Sequence, residues 1–259
     1  MIVRMSAGME ITMKQTDIIN PFQPYMTLEM DGYSQINRTD YGISHFYEFT
    51  IHDEKKHCIK AVPDASIDLL FNIGENKVST YISGTVFGVK KWELGTQDDC
   101  FGVRFQPGQG ILPKDITMEM IVNDDIEIDG DIFGKNLTEK IALAKTMSER
   151  IDIFKKAYED IVLGRSSLSD KEKINEYLVN RISRTKGMIT MRQLEDETNY
   201  SACYLRRIFK SFHGISPKQF AQYIRFQNLL MQADKEGVRY EQVALDCGYY
   251  DEPHMMKEF

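Results

Sequence analysis

Cysteine is scarce in this 259-residue chain, and none of it is paired by spacing. Cys58, Cys100, Cys203 and Cys247 stand 42, 103 and 44 residues apart, so no C-x-x-C metal or redox motif is present and reduced thiols are expected. No run approaches the roughly 18 apolar residues of a membrane span, and no secretory pattern opens the chain; a cytoplasmic protein without a membrane partner is expected. The five histidines include no His-x-His pair. His45, Glu48, His52 and His57 share one span, but His52 and His57 flank Asp53-Glu-Lys-Lys56, which reads as a turn, so neither a metal nor another cofactor is expected. Ser-His-Asp order, a Gly-rich phosphate loop and a paired-carboxylate constellation are all missing, which counts against an enzyme.

Acid is missing from one long stretch. Thr198 to Ala233 holds no Asp or Glu, yet carries Arg206, Arg207, Lys210, Lys218 and Arg225. The net charge of −7 argues at first against nucleic acid, because phosphate contacts need Lys and Arg. From Arg165 onward, however, 15 Lys and Arg face 13 Asp and Glu, whereas the preceding part has 17 against 26. The excess acid therefore belongs to the N-terminal part.

What is present is a pair of helix-turn-helix patterns. The first runs from Thr190 to Lys210 and continues into His213-Gly-Ile-Ser-Pro217; the second runs from Val238 to Phe259. Asn199 and Gly248 fall in the turns, where a left-handed backbone suits those residue types. Ser201 and Asp251 stand where N-caps belong. Ser216 and Pro217 open a connecting helix expected to reach about Met231, with Phe220, Tyr223, Ile224 and Leu230 packing against Phe209 and Phe212 on one side and Val243 and Leu245 on the other. Two such units joined by a helix suit double-stranded DNA, whose major groove repeats about every 34 Å on one face.

Ser201-x-x-Tyr-Leu-x-Arg-x-Phe-Lys-x-x-x-Gly-x-Ser-Pro217 and Val243-Ala-Leu-Asp-Cys-Gly-Tyr-Tyr-Asp-Glu-Pro-His-Met-Met-Lys-Glu-Phe259 resemble the AraC family of bacterial transcription regulators. The resemblance covers about the last seventy residues. By position it implies base contacts from Ala202, Cys203 and Arg206, with Ser201 as the cap. Arg207 takes a place that is usually basic, and Lys210 is a phosphate candidate. On the second reader, Glu252, His254 and Lys257 are the candidate DNA contacts. The family continues past Phe259, so this last helix is expected to be short and frayed. Glu195 stands where the family has a small residue and is expected to reach solvent or to pair with Arg192 or Arg225. RNA polymerase is a partner the resemblance implies.

Upstream, Val62-Pro-Asp-Ala-Ser-Ile-Asp-Leu-Leu-Phe-Asn72 and Gly102-Val-Arg-Phe-Gln-Pro-Gly108 resemble the cupin-like sensor domain of a subset of that family. Residues up to about Asn20 read as a mobile arm. From Tyr25 to about Ile128 short alternating runs predict a β-barrel or sandwich. Two helices follow, carrying Leu137 and Ile141, then Ile151, Phe154 and Tyr158, with a turn expected at Ser148 to Arg150. Gly164 to Asp170 reads as a linker, followed by a capping box of Ser169 and Glu172. The expectation is an α+β chain: residues 1–165 a cupin-like sensor with flanking helices, and residues 166–259 an all-α domain with two helix-turn-helix units.

Alternation puts Asp68 and Asn72 on one strand face, and Arg104 and Gln106 on another. An Asp68–Arg104 pair would be either a structural ion pair or the floor of a ligand cavity. Trp92, the sole tryptophan, is core or pocket wall. The leading expectation is a DNA-binding regulator with a small-molecule effector, a homodimer being open. The alternatives are a cupin-type metalloenzyme with a helical accessory domain and a regulator acting only through protein–protein contact.

Overall fold

The computed structural model describes residues 20–251, apart from 31, 51–57, 76, 94–98, 166, 236 and 238. The expected mobile arm, the turn at Asp53 to Lys56 and the second reader helix lie outside the described residues. The chain divides into two compact units, Gln23–Ser166 and Ser167–Phe259, the latter taking in Met1–Phe22. An antiparallel sheet unit and a helical unit make the chain α+β.

In the N-terminal unit the first element is a helix, α1 (Pro24–Glu29), where a strand region was expected to begin. Pro24 at its first position sets a helical φ without losing a needed donor. Among the described residues, six strands form one antiparallel sheet: β1 (Ser34–Asn37), β2 (Ile43–Thr50), β4 (Asp68–Ile73), β5 (Val78–Ser83), β7 (Asp99–Phe105) and β8 (Asp125–Ile128), ordered β1-β2-β7-β4-β5-β8. The strands β3 (Cys58–Ala61) and β6 (Lys90–Glu93) pair separately.

Alternation gives the large sheet two different faces. Phe46, Leu69, Phe71, Ile82, Phe101, Val103 and Phe105 form one face, packed with Ile141 of α3 (Leu137–Leu143) and Ile151, Phe154 and Tyr158 of α4 (Met147–Leu163). Tyr47, Phe49 and Cys100 point to the other face, with Met26 of α1 and Trp92 of β6. The turn between α3 and α4 falls at Ala144 to Thr146, not at Ser148 to Arg150. Thr146 and Glu149 form a reciprocal capping box there, so residues 148–150 already belong to the first helical turn. A short helix, α2 (Met118–Ile121), precedes β8.

The C-terminal unit contains α5 (Asp170–Arg184), α6 (Met191–Thr198), α7 (Ala202–His213), α8 (Pro217–Ala233) and α9 (Tyr240–Asp246). Ser169, Thr190 and Ser216 each cap a helix through a reciprocal box with Glu172, Gln193 and Gln219. Asn199 adopts φ 58° between α6 and α7, and Gly248 φ +81° after α9. Arg181 and the Tyr177 hydroxyl both bond the Glu197 carboxylate, tying α5 to α6.

Leu205, Ile208, Phe209, Phe220 and Ile224 are buried as their spacing requires, and Phe209 meets Phe220 edge-on at 5.2 Å. Leu245, expected in this core, is 52% exposed. It lies two residues, about 200° of helix, beyond buried Val243. Ala244 and Cys247 fill that side instead, together with Leu229 and Tyr249.

Each unit buries a neutral histidine. His213 Nε2 lies 2.8 Å from Asn175 Oδ1, and burial pushes the His213 pKa down to about 3 from an ordinary 6.5. Burial, and secondarily Arg104, lowers His45 equally. Above pH 6.5 neither folded nor unfolded chain protonates these rings. Between 6.5 and about 3 only the unfolded chain does, so stability is lost as pH falls, by about 1.4 kcal/mol per pH unit for each ring. Thermal melts between pH 7.5 and 5 should show that slope, and His213→Leu should remove the C-terminal unit's share. Melts insensitive to pH across this range would rule out a buried neutral histidine in either unit.

Candidate functional site

Two places concentrate chemistry. In the C-terminal unit, α7 presents Ser201, Cys203, Arg206, Arg207 and Lys210 exposed, with Ala202 half-buried at its first turn. The same helix buries Leu205, Ile208 and Phe209, so the cationic side is the one facing away from its core. Arg207 sits over the Tyr204 ring at 5.4 Å, and Tyr204 in turn packs on Tyr200 at 5.1 Å, which holds that guanidinium against the protein. Among the described residues, Arg206 and Lys210 bond no other side chain.

The Ser201 hydroxyl accepts from Tyr204 N at 3.4 Å. Glu195 makes the second cap. Its carboxylate accepts from Ala202 N at 2.5 Å, rather than pairing with Arg192 or Arg225. An anion at the positive end of α7 is favourable, and it fixes α6 against the start of the reader. Glu252, His254 and Lys257 lie outside the described residues.

The second place is a cavity of about 150 Å³ in the N-terminal unit, between the large sheet and the layer of α1, β3 and β6. Asp68, Asn72 and Arg104 line it, as does Trp92. Gln106 does not. Its Nε2 donates to Ile43 O at 3.2 Å and its backbone N to Gly42 O, which closes the end of β2 where the register shifts.

Asp68 and Arg104 are directly opposite on β4 and β7. Arg104 Nη1 donates to Asp64 Oδ2 at 2.8 Å, and Nη2 donates to Asp68 Oδ2. Burial opposes the guanidinium charge, but Asp68 and Asp64 more than offset it and raise the pKa. Burial raises the Asp68 pKa, against the lowering pull of Arg104 and Tyr47.

Three partners had no signal in the spacing. Asp64 is set by an irregular turn in which its Oδ1 accepts from Ser66 N at 3.0 Å and Ala65 takes φ 60°. Gln23, ahead of α1, donates to Asp64 Oδ2 at 2.8 Å. Tyr47, on β2, donates its hydroxyl to Asp68 Oδ2 at 2.9 Å, although β7 lies between β2 and β4.

Gly102 makes that reach feasible. It is the residue of β7 opposite Tyr47, and a Cβ there would lie 2.0 Å from the Tyr47 ring. The ring therefore lies flat across β7. Gly102→Ala should force the ring off, break the Tyr47–Asp68 bond and cost about 1–3 kcal/mol by overpacking. Tyr47→Phe, which removes only the hydroxyl, should cost less in thermal melts. Equal melting temperatures for Gly102→Ala and the unmodified chain would show that the ring is not held there.

His45 is buried beside Arg104, whose charge disfavours a second cation. Among the described residues no group of three His, Cys, Asp or Glu could hold a metal ion, and no helix is long and apolar enough to cross a membrane.

The helix-turn-helix domain family matches residues 194–259, the segment that holds α7, α8 and α9. Residues 194–259 are a helix-turn-helix domain of the AraC type. Residues 41–127, which carry most of the sheet and of the cavity lining, match a domain of unknown function, DUF6597. Similar solved structures include ToxT from Vibrio cholerae, 12% identical over 83% of this chain and 91% of that chain, with a TM-score of 0.40. Another is ToxT bound to an unsaturated fatty acid, 11% identical over 87% and 92%, with a TM-score of 0.41. Among curated proteins none matches the sequence. The AraC-type domain accounts for the cationic face of α7 and for the acid-free stretch around it.

Proposed function

We propose that this AraC-type transcription regulator reads double-stranded DNA through α7 and is controlled by a small molecule bound in the N-terminal cavity. The observation that carries the reading is the division of α7 into a buried apolar side and an exposed side with Arg206, Arg207 and Lys210, in a stretch without acid. In this reading Ala202, Cys203 and Arg206 meet base edges while Lys210 meets phosphate. The α8 helix, 17 residues and about 25 Å long, carries the second unit toward the next major groove. Glu252, His254 and Lys257 would serve there. Asp68, Asn72 and Arg104 belong to the effector site, while Gln106 holds the end of β2. The domains are assigned as 1–165 for sensing and 166–259 for DNA. A cytoplasmic location, contact with RNA polymerase and a homodimeric state complete the proposal, which includes no catalytic step.

Substitution in α7 tests it. Arg206→Ala should relax preference at one base pair and weaken the best site by about 1–3 kcal/mol. Lys210→Ala should weaken all sequences alike and reduce the salt slope by about one unit. Equal, sequence-independent losses from both would remove base reading by Arg206.

A further inference from the structure

The polar atoms of the cavity are unequally satisfied. Asp68 Oδ1 and Ser66 Oγ are buried with no hydrogen-bond partner, and both residues line the cavity. Ser66 is only 3% exposed. The charges are unequal too: Asp64, Asp68 and Asp125 face the space, with Arg104 as the one cation among the described lining residues and Lys90 acting on Asp125 from behind Trp92. Arg104 donates one N–H of each terminal nitrogen to Asp64 and Asp68, and its Nε has no partner. A carboxylate entering the cavity would meet more anions than cations, at a guanidinium that is already bridged.

The wall also holds aromatic and apolar side chains, Tyr47, Tyr81, Trp92 and Leu70, beside the polar Gln23, Asn72 and Ser83, and the Lys90 ammonium already lies 3.8 Å from the centre of the Trp92 ring. Aromatic faces attract cations through the ring quadrupole, most strongly where water is excluded. A volume of about 150 Å³ is of the size that admits one benzene ring.

We propose that the cavity binds a small organic cation, an ammonium on an apolar body of about six to eight non-hydrogen atoms, with the ammonium donating to Asp68 Oδ1 and Ser66 Oγ. This deepens the effector-site reading and rests on it. The amine supplies the donors that the two orphaned oxygens lack, its charge offsets the surplus carboxylate, and its apolar body fills the space against Leu70 and the rings. A fatty acid or another carboxylate is the opposite chemistry.

Three probes of one shape test the sign: benzylammonium, benzyl alcohol and benzoate, each titrated into the full chain. Trp92 is the sole tryptophan and stands in the cavity wall, so its fluorescence reports occupancy. Benzylammonium should bind at least about tenfold more tightly than either analogue, in keeping with a charge-assisted hydrogen bond. Asp68→Asn should erase that preference. If this variant does not fold, the ranking of the three probes on the unmodified chain decides alone. Benzoate binding as tightly as benzylammonium, or no response to benzylammonium at millimolar concentration, overturns the proposal. DNA affinity measured with benzylammonium bound separates the two readings. An unchanged affinity would overturn effector control and leave the cation site standing, whereas a preference for benzoate that alters DNA binding would do the reverse.

Discussion

Arg104→Ala is expected to destabilise the N-terminal unit by about 3–5 kcal/mol, the usual cost of stripping one partner from a buried ion pair. Its side chain is 7% exposed and bridges two aspartates, so the variant leaves two carboxylates in a site from which water is largely withdrawn. Their positions after the loss are not equal. Asp64 keeps Gln23 Nε2 and Ser66 N as donors, whereas Asp68 keeps only the Tyr47 hydroxyl. Asp68 should therefore carry most of the penalty.

Two consequences can be measured. Arg104→Met combined with Asp68→Leu removes the charge pair together and should recover most of the lost stability, because an apolar replacement of a buried pair is often neutral. The loss should also depend on pH. A carboxylate whose folded pKa is raised is stable in its protonated form below its unfolded pKa and loses that stability as pH rises through the folded value. Relative to the unmodified chain, Arg104→Ala should thus melt worst near pH 8 and regain ground near pH 5. A deficit that is constant with pH, or that the double replacement does not relieve, would mean that the arginine acts through packing rather than charge.

Legibility in the sequence followed the range of the interaction. The caps at Ser169, Ser201 and Ser216 are local, each a side chain meeting a backbone N–H three residues on, and they stand where the residue types placed them. The two sides of α7 follow from helical spacing alone. The opposition of Asp68 and Arg104 needed alternation plus one long-range fact, that β4 pairs with β7. Gln106 shows where alternation stops being informative, since the strand ends at Phe105 and the next side chain serves a backbone carbonyl. Asp64, Gln23 and Tyr47 were illegible for a physical reason: they reach the site from a turn, from the residue before a helix and across an intervening strand. No periodicity encodes such approaches. Leu245 was misplaced because α9 is short, and Val243 and Ala244 on one side exhaust its buried surface.

The same contrast between local and long-range roles gives the other large effect. Gly187 follows α5 with φ +75°, its N–H donating to Ile182 O at 2.9 Å, which is a common way to end a helix. A Cβ at this position would also lie 2.1 Å from the carbonyl oxygen of Ala221 in α8. Backbone cannot move aside as a side chain can. Gly187→Ala should therefore cost about 1–2 kcal/mol for the left-handed backbone and a further ~1–3 kcal/mol for forcing α5 and α8 apart. Because α7 packs on both helices, the reader should shift with them and DNA affinity should fall as well. Gly237 supplies the control: its φ is +76°, and a Cβ there would meet nothing within 4 Å. Gly237→Ala should show the backbone cost alone, with DNA affinity nearly unchanged. Equal melting temperatures for the two variants would mean that the close approach of α5 to α8 is not what glycine at 187 provides, and that the reader is positioned by other contacts.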